Sequence, residues 1–324
     1  MKYRQFGRTG LEFPELVFGC GAVGGLMING SPEERQQAFD RAMAAGINWF
    51  DTAAAYGQGV SETHLGELLA ATTGPRPNVS TKFTIDTRNP DIFGQVEASV
   101  TQSLERLQSD KVTLIQLHNP IGPATDKRQI GLAELLKPHG VLDAMDHLRA
   151  QGLADHIGIT ALGDVTAITR VLKSNRIDSA QVYYNLLNPS AGMSLPPAWP
   201  HYNFTGIVDT CHEHGVAPMN IRVFSAGVIA TDARHGRERP LTAGDTVDSE
   251  TAKATHLFSQ LPDIGDSRAQ SAVRFALANE RLACVVLGLA ELDHLEEAIA
   301  AQERGPLPET SLSALRDAWQ SYTS

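Results

Sequence analysis

The sequence predicts a single closed (β/α)8 barrel, a TIM barrel of the α/β class, running as one domain through residues 1–324. Eight short apolar stretches alternate with amphipathic helical patterns, the arrangement of a parallel sheet covered by helices. Residues able to carry chemistry recur at or just after the C-terminal ends of these stretches: Asp51 with Tyr56, then Lys82, then His118. In a parallel barrel successive strand ends converge on one face, so residues distant in the chain meet there. No composition shift or low-complexity linker divides the chain.

Each element has its own signal. Residues 3–13, turning at Arg8-Thr9-Gly10, read as a hairpin placed to plug the bottom of the barrel. Strand one (15–20) precedes a helix over 33–45, begun by Ser31-Pro32, a cap followed by proline at the first helical position. Strand two (48–52) leads to a helix over 62–71, and strand three (79–83) to one over 91–107. Strand four (112–118) is followed by a helix over 141–150 that Gly152 stops. Strand five (156–160) pairs with a helix over 165–174, and strand six (179–184) with one over 206–214. Strand seven (217–224) and strand eight (284–287) precede helices over 268–278 and 292–301. Three connections are long: 120–140, 187–204 and 225–267, after strands four, six and seven. Loops of that length inside a compact domain usually serve as lids or binding loops, and all three leave the face where the polar residues gather.

Composition narrows the possibilities. A net charge of -10 argues against nucleic acid, whose binding depends on basic patches. No apolar stretch approaches the roughly 20 residues that span a bilayer. The opening Met1-Lys2-Tyr3-Arg4-Gln5-Phe6 lacks the apolar core of a signal peptide. Three cysteines, Cys20, Cys211 and Cys284, are an odd number at no metal-like spacing, which suits reduced thiols in the cytoplasm. Cys20 and Cys284 fall on strands that neighbour each other in a closed barrel, so proximity is expected.

Asp51, Tyr56, Lys82 and His118 together form a proton-transfer set. A phenol, with a pKa of about 10, is a competent but reluctant proton donor. A nearby ammonium favours the phenolate, and a carboxylate keeps that ammonium charged and in place. An imidazole beside the phenol can hold a carbonyl oxygen or relay a proton. Singly, each residue has an ordinary reading as a cap, a packing group or a solvated charge. Their recurrence on consecutive strand ends favours catalysis, with Tyr56 protonating the alkoxide that forms when hydride reaches a carbonyl carbon.

The segments Phe50-Asp51-Thr52-Ala53 with Tyr56-Gly57, Ser80-Thr81-Lys82 and Leu117-His118-Asn119-Pro120 resemble signature segments of the aldo-keto reductase superfamily. Gln151-Gly152-Leu153 leading into Ile157-Gly158-Ile159-Thr160, Ala180-Gln181-Val182, and Leu287-Gly288 extend the resemblance over the whole chain. It is nearest the branch holding bacterial aldose and other sugar dehydrogenases. The resemblance implies an NAD(P)-dependent enzyme acting on a small carbonyl or alcohol substrate, with Asp51, Tyr56, Lys82 and His118 as the catalytic four. It implies an extended dinucleotide across the barrel mouth, with Thr160 and Gln181 near the nicotinamide carboxamide and Phe224 stacked on the ring. Gly21, Ala22, Val23, Asp51, Ser225, Gly227, Gly288, Glu291 and Glu297 would be further cofactor contacts. Two departures bear on this picture. Thr160-Ala161 replaces a common Ser-Asn pair, and residues 288–298 offer Glu291, Asp293, Glu296 and Glu297 where many members place a cation for the 2'-phosphate. NAD is therefore expected over NADP, with Arg234, Arg237 and Arg239 in the long loop as the alternative source of the missing charge.

Other motifs point elsewhere and fail. Gly19-Cys20-Gly21-Ala22-Val23-Gly24 matches a dinucleotide fingerprint, but Gly25 to Gly30 separate it from the next helical pattern. Cys211-His212-Glu213-His214 puts only Cys211 and His214 on one helical face, too few for a metal, so no metal site is expected. A nucleotide-sensing interaction protein is the alternative function, disfavoured by the intact set of four.

Overall fold

The structure, a computed structural model, describes residues 1–123, 128–195, 199, 202–234, 236, 238, 240 and 245–321. An antiparallel pair opens the chain, β1 (Tyr3–Gln5) with β2 (Glu12–Pro14). Eight parallel strands then close on one another: β3 (Leu16–Gly19), β4 (Trp49–Asp51), β5 (Asn78–Phe83), β6 (Val112–Leu117), β7 (Ala154–Thr160), β8 (Ser179–Tyr183), β9 (Ala217–Ile221) and β10 (Cys284–Gly288). Strand β10 pairs with β3 and completes the barrel.

Helices cover the outside. After β3 come a single turn, α1 (Leu26–Asn29), and α2 (Pro32–Ala44); after β4 and β5 come α3 (Val60–Ala71) and α4 (Ile92–Leu107). Between β6 and β7 lie α5 (Leu132–Leu136) and α6 (Val141–Ala150), and α7 (Val165–Leu172) precedes β8. α8 (Ile207–Glu213) precedes β9, and α9 (Val247–Gln260) and α10 (Arg268–Leu277) follow it. α11 (Leu292–Arg304) and α12 (Glu309–Ser321) end the fold. The Ser31 prediction holds as a full capping box: its hydroxyl accepts from Glu34 N at 3.2 Å, and the Glu34 carboxylate accepts from Ser31 N at 2.7 Å. Two orphan amides at the helix start are satisfied in this way.

The hairpin lies at the N-terminal ends of the strands. Phe6 and Phe13 pack at 4.5 Å, and both meet the Trp49 ring that opens β4, at 5.5 and 4.0 Å. All three are fully buried, each contributing roughly 1.5–3 kcal/mol of apolar burial. Arg8 at the hairpin turn donates to His214 O, Asn175 O and Ile177 O, tying the plug to the loops around it. The lower end of the barrel is closed, so a site inside the barrel must open at the C-terminal strand ends.

Three expectations need correction. Strand seven stops at Ile221, because Arg222 turns to φ 62 and leaves the ladder. The long connections are not bare loops: α5 lies in the first, a turn of 3-10 helix (Ser190–Gly192) in the second and α9 in the third. Cys20 and Cys284 lie at opposite ends of paired strands. The register sets Val285 against Leu16 and Gly288 against Gly19, so Cys284 is at the bottom of the barrel and Cys20 just past the top.

Candidate active site

Register brings the four predicted residues to one focus. Asp51 ends β4 opposite Ser80 of β5, and Lys82 lies opposite Gln116 of β6. Tyr56 follows β4 in a one-turn 3-10 helix (Tyr56–Gly59) whose Gly57 and Gly59 adopt φ 60 and 94. That left-handed geometry lets the chain reverse into α3 while the phenol stays over the barrel. His118 stands one residue past β6, and Asn119 fixes the loop beyond it, accepting from Ile85 N at 2.9 Å and donating to Ile85 O at 2.9 Å.

Lys82 Nζ is the centre. It stands 2.6 Å from Asp51 Oδ2, 2.8 Å from Thr52 O and 3.2 Å from the Tyr56 hydroxyl. Lys82 and Asp51 are only 1% and 2% exposed, so neither charge relies on bulk water. Burial opposes the ammonium, but the charges of Asp51 and Tyr56 and their hydrogen bonds outweigh it and raise its pKa. Asp51 Oδ1 accepts from Ser80 Oγ at 2.7 Å, Gln181 Nε2 at 2.8 Å and Gln116 Nε2 at 3.3 Å. Trp49 Nε1 in turn donates to Ser80 Oγ at 3.2 Å. The carboxylate is clamped from several strands.

The His118 ring meets the Tyr56 ring edge-on, with centroids 5.7 Å apart. Burial, helped by the Lys82 charge and opposed by Asp51, pushes the imidazole down to about 4. It is neutral at physiological pH. Tyr56, His118 and Asp51 line a cavity of about 490 Å³ at the top of the barrel. Phe224 and Gly227 from the loop after β9, and His294 and Glu297 of α11, line it as well.

A model of the aldo/keto reductase family matches residues 15–320. The chain belongs to the aldo/keto reductase family. It is 30% identical over 251 residues to a D-threo-aldose 1-dehydrogenase of a Pseudomonas species, covering 68% of this chain and 69% of that one. It is 25% identical to an L-galactose dehydrogenase of Arabidopsis thaliana, covering 93% and 88% of the two chains. The solved aldo-keto reductase AKR11C1 from Bacillus halodurans, in its holo form, matches with a TM-score of 0.73 at 24% identity, covering 98% and 96%. At that identity the likeness is one of fold. This aldo/keto reductase is thus an oxidoreductase enzyme of a family that uses nicotinamide dinucleotides on small carbonyl or alcohol substrates.

The cavity suits such a dinucleotide. Thr160 Oγ1 is buried without a hydrogen-bond partner in a residue that lines the cavity, and an orphaned polar atom of this kind is costly unless a ligand satisfies it. At Gly21 a Cβ would stand 3.8 Å from the Tyr56 ring, filling space that the glycine leaves open. Gly24 has a different reason: a Cβ there would fall 2.3 Å from Leu289 O, so the backbones of two barrel loops touch.

Among the predicted contacts, Gly21, Ala22, Val23, Thr160, Phe224, Gly227, Gly288 and Glu297 line the cavity together with Asp51. Gln181 lines it too, but its amide nitrogen is engaged by Asp51. Two do not line it. The Ser225 hydroxyl turns back to Glu250 Oε2 at 2.9 Å, and Glu291 is exposed at the extended residue before α11. Glu296 forms an ion pair with Arg41 at 2.6 Å instead of facing the site. Arg237 and Arg239 lie outside the described residues, while Arg234 donates to Thr231 O, Ala233 O and Thr251 Oγ1 and is not a lining residue. Of the other motif singled out, Cys211 is buried and His214 Nδ1 bonds Asn175 Oδ1 at 2.8 Å. Sequence reasoning missed Arg222, a lining residue. The strand-end rule would have found it had strand seven been ended at Ile221.

Proposed function

We propose that this chain transfers hydride reversibly between NAD and the anomeric or carbonyl carbon of a small aldose, with Tyr56 as the general acid and base. The observation that carries this reading is the single ammonium of Lys82, held at 2.6 Å from Asp51 and 3.2 Å from the Tyr56 hydroxyl beneath an open cavity. A nicotinamide dinucleotide held in this cavity would supply or receive the hydride. In reduction, Tyr56 gives its proton to the nascent substrate alkoxide, and the Lys82 charge favours the phenolate that remains. In oxidation the phenolate takes the hydroxyl proton. Neutral His118, edge-on to Tyr56, offers a ring nitrogen to hold the substrate oxygen. Asp51 keeps Lys82 charged and aimed.

Aldoses are favoured because the relatives named above act on D-threo-aldoses and on L-galactose. NAD is favoured over NADP because the cavity is lined at α11 by Glu297, His294 and Ala298 and by no lysine or arginine from that helix. A carboxylate accepts a hydrogen bond from a ribose 2'-hydroxyl but repels a phosphate there. Thr160, Gln181 and Phe224 would frame the nicotinamide. The chain would work as one barrel domain in the cytoplasm. Among the described residues no helix is long and apolar enough to cross a membrane.

Steady-state assays with a panel of aldoses and aldehydes, both cofactors and both directions, test the reading. NAD-dependent aldose oxidation that Tyr56→Phe slows about 10²- to 10⁴-fold is the expected result. Binding of a dinucleotide with no turnover on any substrate would favour a sensing role, and clearly tighter NADP binding would reverse the cofactor choice.

A further inference from the structure

Among the described residues that line the cavity, Arg222 is the one lysine or arginine. The carboxylates that line the same cavity are Asp51, Glu238 and Glu297. A dinucleotide carries its negative charge at the pyrophosphate, midway between its two rings. In such an acidic lining, a guanidinium is the side chain suited to meet that charge.

The backbone that carries this residue is held in an unusual conformation. Arg222, Ser225 and Ala226 all take positive φ (62, 43 and 59), a region L-residues avoid, so three such residues in five positions mark a backbone held by its surroundings. The holders are visible. Asn185, fully buried, donates from Nδ2 to Arg222 O at 2.8 Å, and Ser225 N donates to the same oxygen at 2.8 Å. Ser225 Oγ is anchored on Glu250, which is 3% exposed on α9 and feels the charge of Arg222. Neighbouring Phe224 and Gly227 line the cavity, with Tyr56 and His118 among its other lining residues and His294 and Glu297 contributed by α11.

We propose that Arg222 is the pyrophosphate-binding residue of this enzyme, presented to the dinucleotide by the strained turn that Asn185 and Glu250 hold. A planar guanidinium matches the paired oxygens of a phosphate with parallel charge-assisted hydrogen bonds. The inference rests on the cofactor reading above, and its test separates the two.

Calorimetric titrations of NAD, ADP-ribose and adenosine, run at two salt concentrations, compare the natural enzyme with Arg222→Gln and Arg222→Lys. Arg222→Gln should weaken NAD and ADP-ribose about 10- to 100-fold, the usual loss for a hydrogen bond to a charged group. It should leave adenosine within about twofold and flatten the salt dependence of ADP-ribose binding. Arg222→Lys should recover part of the affinity. Equal affinities for NAD and ADP-ribose in the natural enzyme and Arg222→Gln would overturn the proposal, as would equal weakening of adenosine. If Arg222→Gln does not fold, phenylglyoxal labelling of the natural enzyme, mapped by peptide mass, gives the answer. ADP-ribose should shield Arg222 and adenosine should not, and labelling unaffected by ADP-ribose would refute the assignment. A natural enzyme that binds no dinucleotide defeats the cofactor reading itself, a result distinct from binding that ignores Arg222.

Discussion

At the scale of single residues, Tyr56, Lys82 and His118 give separable expectations. Tyr56→Phe keeps the ring that His118 packs against and removes only the hydroxyl, so fold and cofactor affinity should persist while turnover falls about 10²- to 10⁴-fold. Stopped-flow and steady-state rates on the same preparation would check both halves. Lys82→Met should cost stability as well as rate, because it strands a carboxylate that is 2% exposed. Breaking a buried pair typically costs about 3–5 kcal/mol, and adding Asp51→Asn should return part of it in urea denaturation. His118 gives a pH signature. Its folded pKa of about 4 lies below its ordinary value of 6.5, so the unfolded chain takes the proton first as pH falls. The associated stability is whole above 6.5 and is lost as pH drops towards 4. Between pH 7 and pH 5 this single group should remove about 2 kcal/mol, and His118→Gln should lose that portion of the slope. An unaltered slope in the variant would show that the imidazole titrates normally.

At the scale of elements, the helix entry at Ser31 is the plainest test of local sequence control. Ser31→Ala deletes one arm of the capping box and should lower stability by about 1 kcal/mol, read as a shift in the urea midpoint with an unchanged slope. The same local logic explains what could be read from the sequence. Strands such as Val112–Leu117 are short apolar runs between turn signals, and helices such as Ile92–Leu107 bury one continuous stripe, so pattern alone exposes them. α9 buries only Glu250, Ala254 and Leu257, and its box pairs Thr246 with Ser249 where a glutamate or glutamine is usual. It gave too faint a signal. α12 is anchored by Trp319, whose ring meets Phe275 and whose Nε1 donates to Leu186 O at 2.9 Å, contacts made across the fold and unreadable locally. Arg222 was hidden because nothing in Ile221-Arg222-Val223-Phe224 announces that the backbone turns left-handed within an apolar run. Asp51, Tyr56, Lys82 and His118 were legible because strand order alone makes them neighbours.

At the scale of the whole molecule, tight packing fixes the thiols as well as the site. Cys20, Cys211 and Cys284 are all buried and free, and desolvation pushes each thiol up, Cys211 to about 12. Since only the thiolate reacts readily, the native protein should resist alkylation at neutral pH and yield three labelled cysteines only in denaturant. Fast native labelling at any one of them would reveal local opening. The aromatic plug of Phe6, Phe13 and Trp49 has a larger consequence, one of time instead of place. With the bottom of the barrel sealed, both reactants must pass through the upper mouth, and whichever lies deeper is trapped until the other departs. Turnover should therefore follow a compulsory sequence of arrival and departure. Product-inhibition patterns would display it, with competition confined to one substrate–product pair, and mutual competition between both pairs would mean that the two reactants come and go independently.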